Sequence, residues 1–274
     1  MIRFILKLTI ILLLFIGSIV ANAQSFQGKA YYQTKRNLDI KLDSSKINDA
    51  MQKQFREMLR KQFEKTYLLT FDKTTSLYKE EEKLAAPNPA QGGIIIESMG
   101  GSNILFKDVK NKTYISTKEI YGKKFLINDS LKAIDWKIEK ETKMIGKYLC
   151  IKATYVKLID DYDDEMKRKE KQKELLITAW YTPEIPISNG PSYYAGLPGL
   201  ILELHEGKMH YVCTKLVLNP TKKTTIVAPK KGKKINQKDF EKIMKKKSKE
   251  MMEQYKSGRK KGNDRNGISI EIRD

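Results

Sequence analysis

The side chains best suited to chemistry in this sequence are two histidines that lie close together along the chain. His205 and His210 are the only histidines among 274 residues, and the stretch between them suits a two-residue type II′ hairpin with Gly207 in its first central position. That turn places the two imidazoles opposite each other on neighbouring strands, with Glu203 two residues back on the same face. Two imidazoles and a carboxylate can bind Zn²⁺ or Cu²⁺. Glu203, His205 and His210 are therefore candidate metal ligands, but we favour a solvated cross-strand pair and predict no metal and no cofactor.

The two cysteines pose the question of a disulfide bond. If the strands around Cys150 and Cys213 belong to one meander, three strand spacings separate them, roughly 14 Å. A disulfide needs Cα atoms within about 7 Å of each other. We therefore expect two buried free thiols; a bridge requires a strongly curled sheet or a strand order that does not follow the sequence.

Sequence motifs of well-known enzymes are absent. The chain has no Gly-x-Ser-x-Gly elbow, P-loop, dinucleotide fingerprint, HExxH or Cys-x-x-Cys. We predict a non-enzymatic protein that binds a ligand or partner. The alternatives are a metal-handling protein that uses the three candidate ligands, or a hydrolase with an unrecognised site. Five aromatic residues could line a ligand cleft, although core packing explains them equally well: Trp136, Trp180, Tyr181, Tyr193 and Tyr194.

The most distinctive segment of the chain runs through Gly190-Pro191 and then from Tyr194 to Leu204. Pro198 and Gly199 suit the central positions of a type II turn, in which proline presets the first φ and glycine supplies the positive second φ. The apolar run that begins at Leu200 predicts a buried or half-buried strand. The segment should therefore be a fixed loop that leads into a core strand.

This segment resembles the GLPGLI family of exported bacterial envelope proteins. The family motif is formed by Gly196, Leu197, Pro198, Gly199, Leu200 and Ile201. The resemblance extends over Asp135 to Leu204 and includes Trp136, Cys150 and the strand around Trp180. It implies an exported envelope protein with a curved sheet of the half-barrel type, and it implies no particular reaction.

The first 23 residues predict an export signal. Arg3 and Lys7 form a cationic start, residues 8–20 are almost continuously apolar, and residues 21–23 form an A-x-A cleavage site. The apolar stretch is short for a membrane span, which needs roughly 20 residues, so an uncleaved anchor is the less favoured alternative. We expect cleavage after Ala23 and a soluble periplasmic or secreted product.

The charge of the chain indicates its partners. The formal net charge is +20, and much of the excess lies in a Lys-rich region after Asn219, where Asn236 or Asp239 could cap a basic helix that ends near Tyr255. Such a surface favours anionic lipid or lipopolysaccharide. Nucleic acid is not an expected partner, because export removes it and no helix-turn-helix, zinc-finger or RNP pattern occurs.

The remaining pattern predicts the fold class. Many short alternating strands with tight turns indicate a mainly β (α+β) fold, either a curved antiparallel meander or a partial barrel. An apolar stripe at helical spacing over 45–65 predicts an inserted N-terminal helix. We therefore divide the chain into a signal peptide (1–23), a single β-rich domain (24–218) and a basic C-terminal helical extension (219–274).

Overall fold

Alternating inward and outward side chains place most of the described chain in β-strands. In β1, Gln27–Arg36, the side chains of Ala30, Tyr32 and Thr34 are buried and those between them are more exposed. This two-residue period is that of a strand with one face on the core. The computed structural model describes residues 26–36, 39–41, 49–50, 53–54, 57, 64–81, 103–120, 122–160, 172–261 and 271–273.

Fourteen strands and one helix have described bounds. After β1 the strands are β2 (Asp39–Lys41), β3 (Thr66–Asp72), β4 (Thr75–Glu80), β5 (Ile104–Asp108), β6 (Thr113–Ile120), β7 (Lys123–Ser130), β8 (Lys137–Ile145), β9 (Tyr148–Ile159), β10 (Lys173–Thr182), β11 (Leu200–Glu206), β12 (Met209–Leu218), β13 (Lys233–Ile235) and β14 (Glu271–Arg273). The helix is α1, Gln237–Lys261.

Twelve of these strands form one sheet, in the order β13-β7-β6-β5-β4-β3-β1-β12-β11-β10-β9-β8. Two antiparallel meanders, β3 to β7 and β8 to β12, are joined through β1, which pairs with β3 on one side and β12 on the other. β13 adds to the outer side of β7 in parallel. β2 and β14 form a separate two-stranded sheet.

The α+β fold with an inserted N-terminal helix, predicted from the sequence, is wrong. The described part of the chain is mostly strand, and its one helix with described bounds lies near the C-terminus. Within 45–65, the described residues 49, 50, 53, 54 and 57 have helical backbone and residues 64 and 65 do not; the rest lie outside the described residues, and no helix there has described bounds. An apolar stripe at helical spacing is a local pattern, and a helix also needs a surface on which that stripe can pack. In this fold most of the apolar core comes from strands. The strand order also departs from a simple meander, because β1 lies between β3 and β12.

The core consists of two apolar clusters. One gathers Tyr32, Leu69 and Phe71 from β1 and β3 with Ile185 and Leu200. The other forms around β9, β10 and β11 and includes Leu197. Residues 183–199, which we name the central segment, connect β10 to β11 and contribute to both clusters. This connection is therefore part of the core rather than a surface loop.

The segment predicted to be a signal peptide, residues 1–23, lies outside the described residues. Within the described residues, no helix is both long enough and apolar enough to cross a membrane.

Candidate functional site

The central segment is built from very tight turns. The amide of Ile187 donates to the carbonyl of Ile185 (2.7 Å), that of Asn189 to Ile187 (2.7 Å), and that of Gly199 to Leu197 (2.8 Å). Hydrogen bonds between residues two apart are those of γ-turns. Proline stands at the centre of two of the three turns, where its fixed φ suits the inverse form. The prolines thus determine the path of the segment.

The type II turn predicted at Pro198 and Gly199 is wrong. Gly199 is not among the glycines with positive φ; Gly196 is, with φ of 100°. A Cβ atom at Gly199 would lie 2.2 Å from the carbonyl oxygen of Thr182. Glycine is required at this position because two backbone segments approach closely, and only the folded structure brings them together.

A buried lysine holds the central segment on the sheet. Lys107 of β5 is fully buried, and its Nζ donates to the carbonyls of Gly190 (2.8 Å), Ser192 (2.7 Å) and Tyr194 (3.3 Å). Three acceptors match the three N–H bonds of an ammonium group, while burial lowers the pKa of Lys107 to about 7. Sequence reasoning missed this residue, although the alternation of β5 places it on the inward face with Leu105.

Two other side chains bond to the same segment or to the strand β11 that follows it. The hydroxyl of Tyr32 in β1 donates to the carbonyl of Ile201 (2.6 Å). The indole N–H of Trp136 donates to the carbonyl of Ala195 (2.9 Å). Together with Lys107, these bonds connect the motif region to both meanders. Residues 196–201 and the segment before them therefore have a structural role in this fold.

An open cleft of about 350 Å³ lies beside the central segment. We name it the tyrosine cleft. It is lined by Thr34, Lys65, Tyr67, Tyr78, Asn103, Leu105, Ser116, Lys118, Ser192, Tyr193, Met209 and Tyr211. Its walls thus come from β1, β3 to β6, β12 and the central segment. The cleft exists because β1 brings strands that are distant in sequence side by side.

Two stacked phenol rings form the wall of the tyrosine cleft. The rings of Tyr67 and Tyr78 have centroids 4.9 Å apart and an interplanar angle of 6°. Tyr78 is 6% exposed, and its hydroxyl has no hydrogen-bond partner in the described part of the chain. Burial raises the pKa of Tyr78, and burial together with Glu80 raises the pKa of Tyr67 to about 12. Both phenols are therefore neutral hydrogen-bond donors at ordinary pH.

Polar groups surround this aromatic wall. Lys65 forms an ion pair with Glu80 (3.0 Å), and the hydroxyl of Tyr193 donates to Oγ of Ser116 (3.3 Å). Burial lowers the pKa of Lys118, although Glu241 partly offsets this effect. The cleft can therefore hold a group that contacts aromatic faces and also accepts hydrogen bonds.

Only one of the five aromatic candidates from the sequence lies in the cleft, and that residue is Tyr193. The rings of Trp136 and Tyr194 pack together, with centroids 6.2 Å apart. Tyr181 and Tyr194 are buried in the second core cluster. Lys143 lies over the ring of Trp180, 4.3 Å from its centroid. The cleft residues Tyr67, Tyr78 and Tyr211 were missed. Inward-facing tyrosines on adjacent strands were the available signal, but the strand order was needed to align them.

The histidine pair has the register that the sequence predicted. His205 lies opposite His210 in the β11–β12 ladder, which confirms the hairpin, and the ring centroids are 4.2 Å apart. One oxygen of Glu203 lies 2.7 Å from Nε2 of His205 and also accepts from Nζ of Lys143 (2.8 Å). Burial and His205 lower the pKa of His210.

The carboxylate of this cluster is therefore already engaged by a cation. Within the described residues, no three His, Cys, Asp or Glu side chains are placed to hold a metal ion. The cluster thus gives no support to the metal-handling alternative.

Both cysteines are free thiols. Cys150 belongs to the first core cluster, and Cys213 packs against it. Burial raises the pKa of each thiol to about 11. Thiols with raised pKa carry little thiolate at neutral pH and are poor nucleophiles.

The comparisons with known proteins give a partial family match and a likeness to solved structures. Residues 136–203, from β8 to β11, match the model of the Porph_ging family, described as a protein of unknown function. No curated protein sequence matches this chain significantly.

Five chains of solved structures match this chain, and among them are two structures of PNGF-II. The structure in the C2 space group has a TM-score of 0.47 and 13% sequence identity, and the match covers 80% of this chain and 32% of the PNGF-II chain. The one in the P21 space group has a TM-score of 0.48 and 14% identity, and it covers 79% and 33%. The chain thus spans about a third of the length of PNGF-II.

Proposed function

We propose that the chain is an exported envelope protein of the GLPGLI type that binds a ligand or partner in the tyrosine cleft and catalyses no reaction. In this proposal a signal peptide is cleaved after Ala23, and the soluble product acts in the periplasm or outside the cell. The residues of the motif at 196–201 support the GLPGLI assignment, and the match to the Porph_ging family covers the same residues. The cationic and apolar pattern of residues 1–23 supports export.

The observation that carries the proposal is the stacked pair of Tyr67 and Tyr78 in the wall of an open cleft of about 350 Å³. The side chains of Ser192 and Lys118 line the same cleft and can donate hydrogen bonds to an acceptor oxygen of a ligand. The stacked ring of Tyr67 offers a flat apolar surface in the same cleft. The fitting ligand therefore has an apolar or planar part next to an oxygen acceptor.

Polar residues of the cleft could orient such a ligand. Ser116 and Ser192 lie on its lining with Asn103, so hydroxyl and amide groups can satisfy a polar edge of the ligand. Lys118 adds a half-buried cation. Binding sites generally combine an apolar wall with a few placed polar groups in this way.

Native mass spectrometry of the protein isolated from its own cells tests this proposal. We expect a bound small molecule with the wild-type protein. Tyr67→Ala removes the stacked ring from the cleft, and we expect it to lose the bound mass. Tyr31→Ala is the matched control, because Tyr31 precedes the inward-facing Tyr32 on β1 and does not line the cleft. The proposal would be contradicted if the wild-type protein carried no bound small molecule, or if Tyr67→Ala retained it to the same extent.

We also propose that the basic C-terminal region contacts anionic lipid or lipopolysaccharide. The support is the exposure of Lys245, Lys246 and Lys249 on α1, since juxtaposed lysines favour anionic surfaces by about 1 kcal/mol each. Binding to vesicles that contain phosphatidylglycerol should decrease when Lys245 and Lys249 are changed together to glutamine. Unchanged vesicle binding would exclude α1 as the contact.

A further inference from the structure

A second cleft, separate from the tyrosine cleft at all but one residue, concentrates positive charge. It has a volume of about 300 Å³ and is lined by Ile104, Thr117, Lys118, Glu119, Lys124, Pro229, Lys230 and Lys231. We name it the lysine cleft. Lys118 is shared with the tyrosine cleft. Four cationic side chains and a single carboxylate therefore surround one small volume.

The single carboxylate neutralises little of this charge. Glu119 lies 3.8 Å from Nζ of Lys124, at the outer limit of an ion pair. Within the described part of the chain, no ion pair engages Lys230 or Lys231. Repulsion between neighbouring lysine ammonium groups is unfavourable, and attraction between these groups and a bound anion would offset it.

Backbone packing holds the lysines in place. Gly232 has φ of 134°, and a Cβ atom there would lie 2.9 Å from the carbonyl carbon of Phe125 and 3.0 Å from the amide of Leu126. The next residue, Lys233, pairs with Phe125 where β13 joins β7. Lys231 is therefore fixed next to the strand that carries Lys124. The backbone at Lys231 is thus ordered before an anion binds, and only the lysine side chains have to be ordered on binding.

The lining of the cleft combines apolar and cationic side chains. Ile104 and Pro229 supply apolar atoms, and burial lowers the pKa of Lys118, so Lys118 is partly desolvated, whereas Lys124, Lys230 and Lys231 are exposed. Charge–charge attraction is stronger where water is partly excluded. Lysine binds phosphate as a point charge and needs no fixed fork geometry. Several lysines around one volume suit an anion with several oxygens and more than one charge.

We propose that the lysine cleft is a binding site for phosphate groups. The phosphate can belong to a soluble molecule or to a lipid headgroup, and the chemistry of recognition is the same. This inference is independent of the function proposed for the tyrosine cleft.

Isothermal titration of the purified protein with inorganic pyrophosphate tests the site. At physiological ionic strength, we expect the wild-type protein to bind and the variant with Lys230→Gln and Lys231→Gln to bind at least about tenfold more weakly, as loss of two close charges implies. The control carries Lys110→Gln and Lys112→Gln in the exposed turn between β5 and β6, which removes the same charge at the end of that hairpin opposite Ile104 and Thr117. We expect the control to bind pyrophosphate like the wild type.

Two results would overturn the proposal: no binding by the wild type, or equal weakening in both double variants, which would indicate non-specific attraction. If the cleft variant is less stable than the wild type, Lys124→Gln replaces it as the test and should also weaken binding.

A second measurement separates the two sources of phosphate. With vesicles that contain phosphatidylglycerol, loss of binding in the cleft variant supports a lipid headgroup. Unchanged vesicle binding, with weakened pyrophosphate binding, supports a soluble phosphate compound. If the cleft variant weakens neither, the site is wrong.

Discussion

The central segment and α1 both pack on the sheet, but they are held in different ways. The central segment is bonded through its backbone, since Lys107, Tyr32 and Trp136 all donate to main-chain carbonyls in or next to it. The helix is held through side chains near its start: Phe240 is buried and packs edge-on against Phe125, with ring centroids 5.6 Å apart. Beyond Met244, its described side chains are exposed or half-buried.

The start of α1 also has polar anchors. Asn236 caps the helix by accepting from the amide of Asp239 (2.8 Å), and Asp129 of β7 accepts from the amide of Gln237 (2.9 Å). These contacts fix the first turn only. We therefore expect the central segment to unfold only with the whole sheet. Because α1 is anchored only near its start, it can separate from the sheet at a lower cost in free energy. The largest effects of mutation should therefore fall on the central segment.

The strongest test of this difference is Gly199→Ala. A methyl group at this position would overlap the carbonyl oxygen of Thr182 at 2.2 Å, and backbone atoms cannot move aside cheaply. We expect the free energy of unfolding to fall by about 3 kcal/mol or more, measured by chemical denaturation.

Gly122→Ala is the control for Gly199→Ala. Gly122 has φ of 72° but open space around its Cα, so alanine there should cost only the backbone strain of about 1 kcal/mol. Equal losses in the two variants would show that close approach at Gly199 is unimportant.

Lys107→Met should have the next largest effect. It leaves three carbonyls of the central segment without their donor, in a fully buried site. We expect a loss of about 2 to 3 kcal/mol in the free energy of unfolding. Lys112→Met, in the exposed turn between β5 and β6, should change it by less than about 0.5 kcal/mol. A near-neutral Lys107→Met would mean that the carbonyls find other donors.

The pH dependence of the same pair sharpens the test. Burial lowers the pKa of folded Lys107 to about 7, from an ordinary value of 10.5. The unfolded chain therefore binds more protons between these values, and the contribution of Lys107 to stability rises with pH across that window. The difference in unfolding free energy between the wild type and Lys107→Met should be larger at about pH 9.5 than at about pH 7. An equal or smaller difference would contradict the lowered pKa.

Phe240→Ala should act locally. Removing a buried phenyl ring costs about 3 kcal/mol or more in a core, but here the expected result is separation of α1 while the sheet stays folded. Hydrogen exchange should accelerate in the helix and along β7, and remain slow in β1 and β11. Acceleration throughout the sheet would show that α1 belongs to the global folding unit.

The smallest effect should come from Lys245→Gln on the exposed side of α1. We expect a change within about 0.5 kcal/mol in unfolding free energy, combined with weaker binding to anionic vesicles. A large loss of stability would reveal packing of this side chain that the structure does not show.

The local features of the fold could be predicted from the sequence. The hairpin that places His205 opposite His210 follows from Gly207, whose positive φ (58°) the turn requires. The cap at Asn236 follows from the preference of asparagine for helix starts. Each of these depends on residues within one turn or one hairpin.

The features that define the candidate site could not be predicted in this way. The tyrosine cleft needs β1 between β3 and β12, a pairing that joins Gly28 to Leu218. The residue pattern of a strand does not show which strand it pairs with when the two are so far apart in the sequence. For the same reason Lys107 was missed, and a local helical stripe over 45–65 was a poor guide to the fold class.

By itself, then, the sequence determined many of the strands, the hairpin between β11 and β12 and the excess of basic charge near the C-terminus, because backbone preference and side-chain alternation act between near neighbours. The tertiary structure alone decided that Gly199 meets Thr182, that Lys107 holds the central segment, and that Tyr78 faces a cleft. These depend on contacts between distant residues, whose energies arise only after the sheet has assembled.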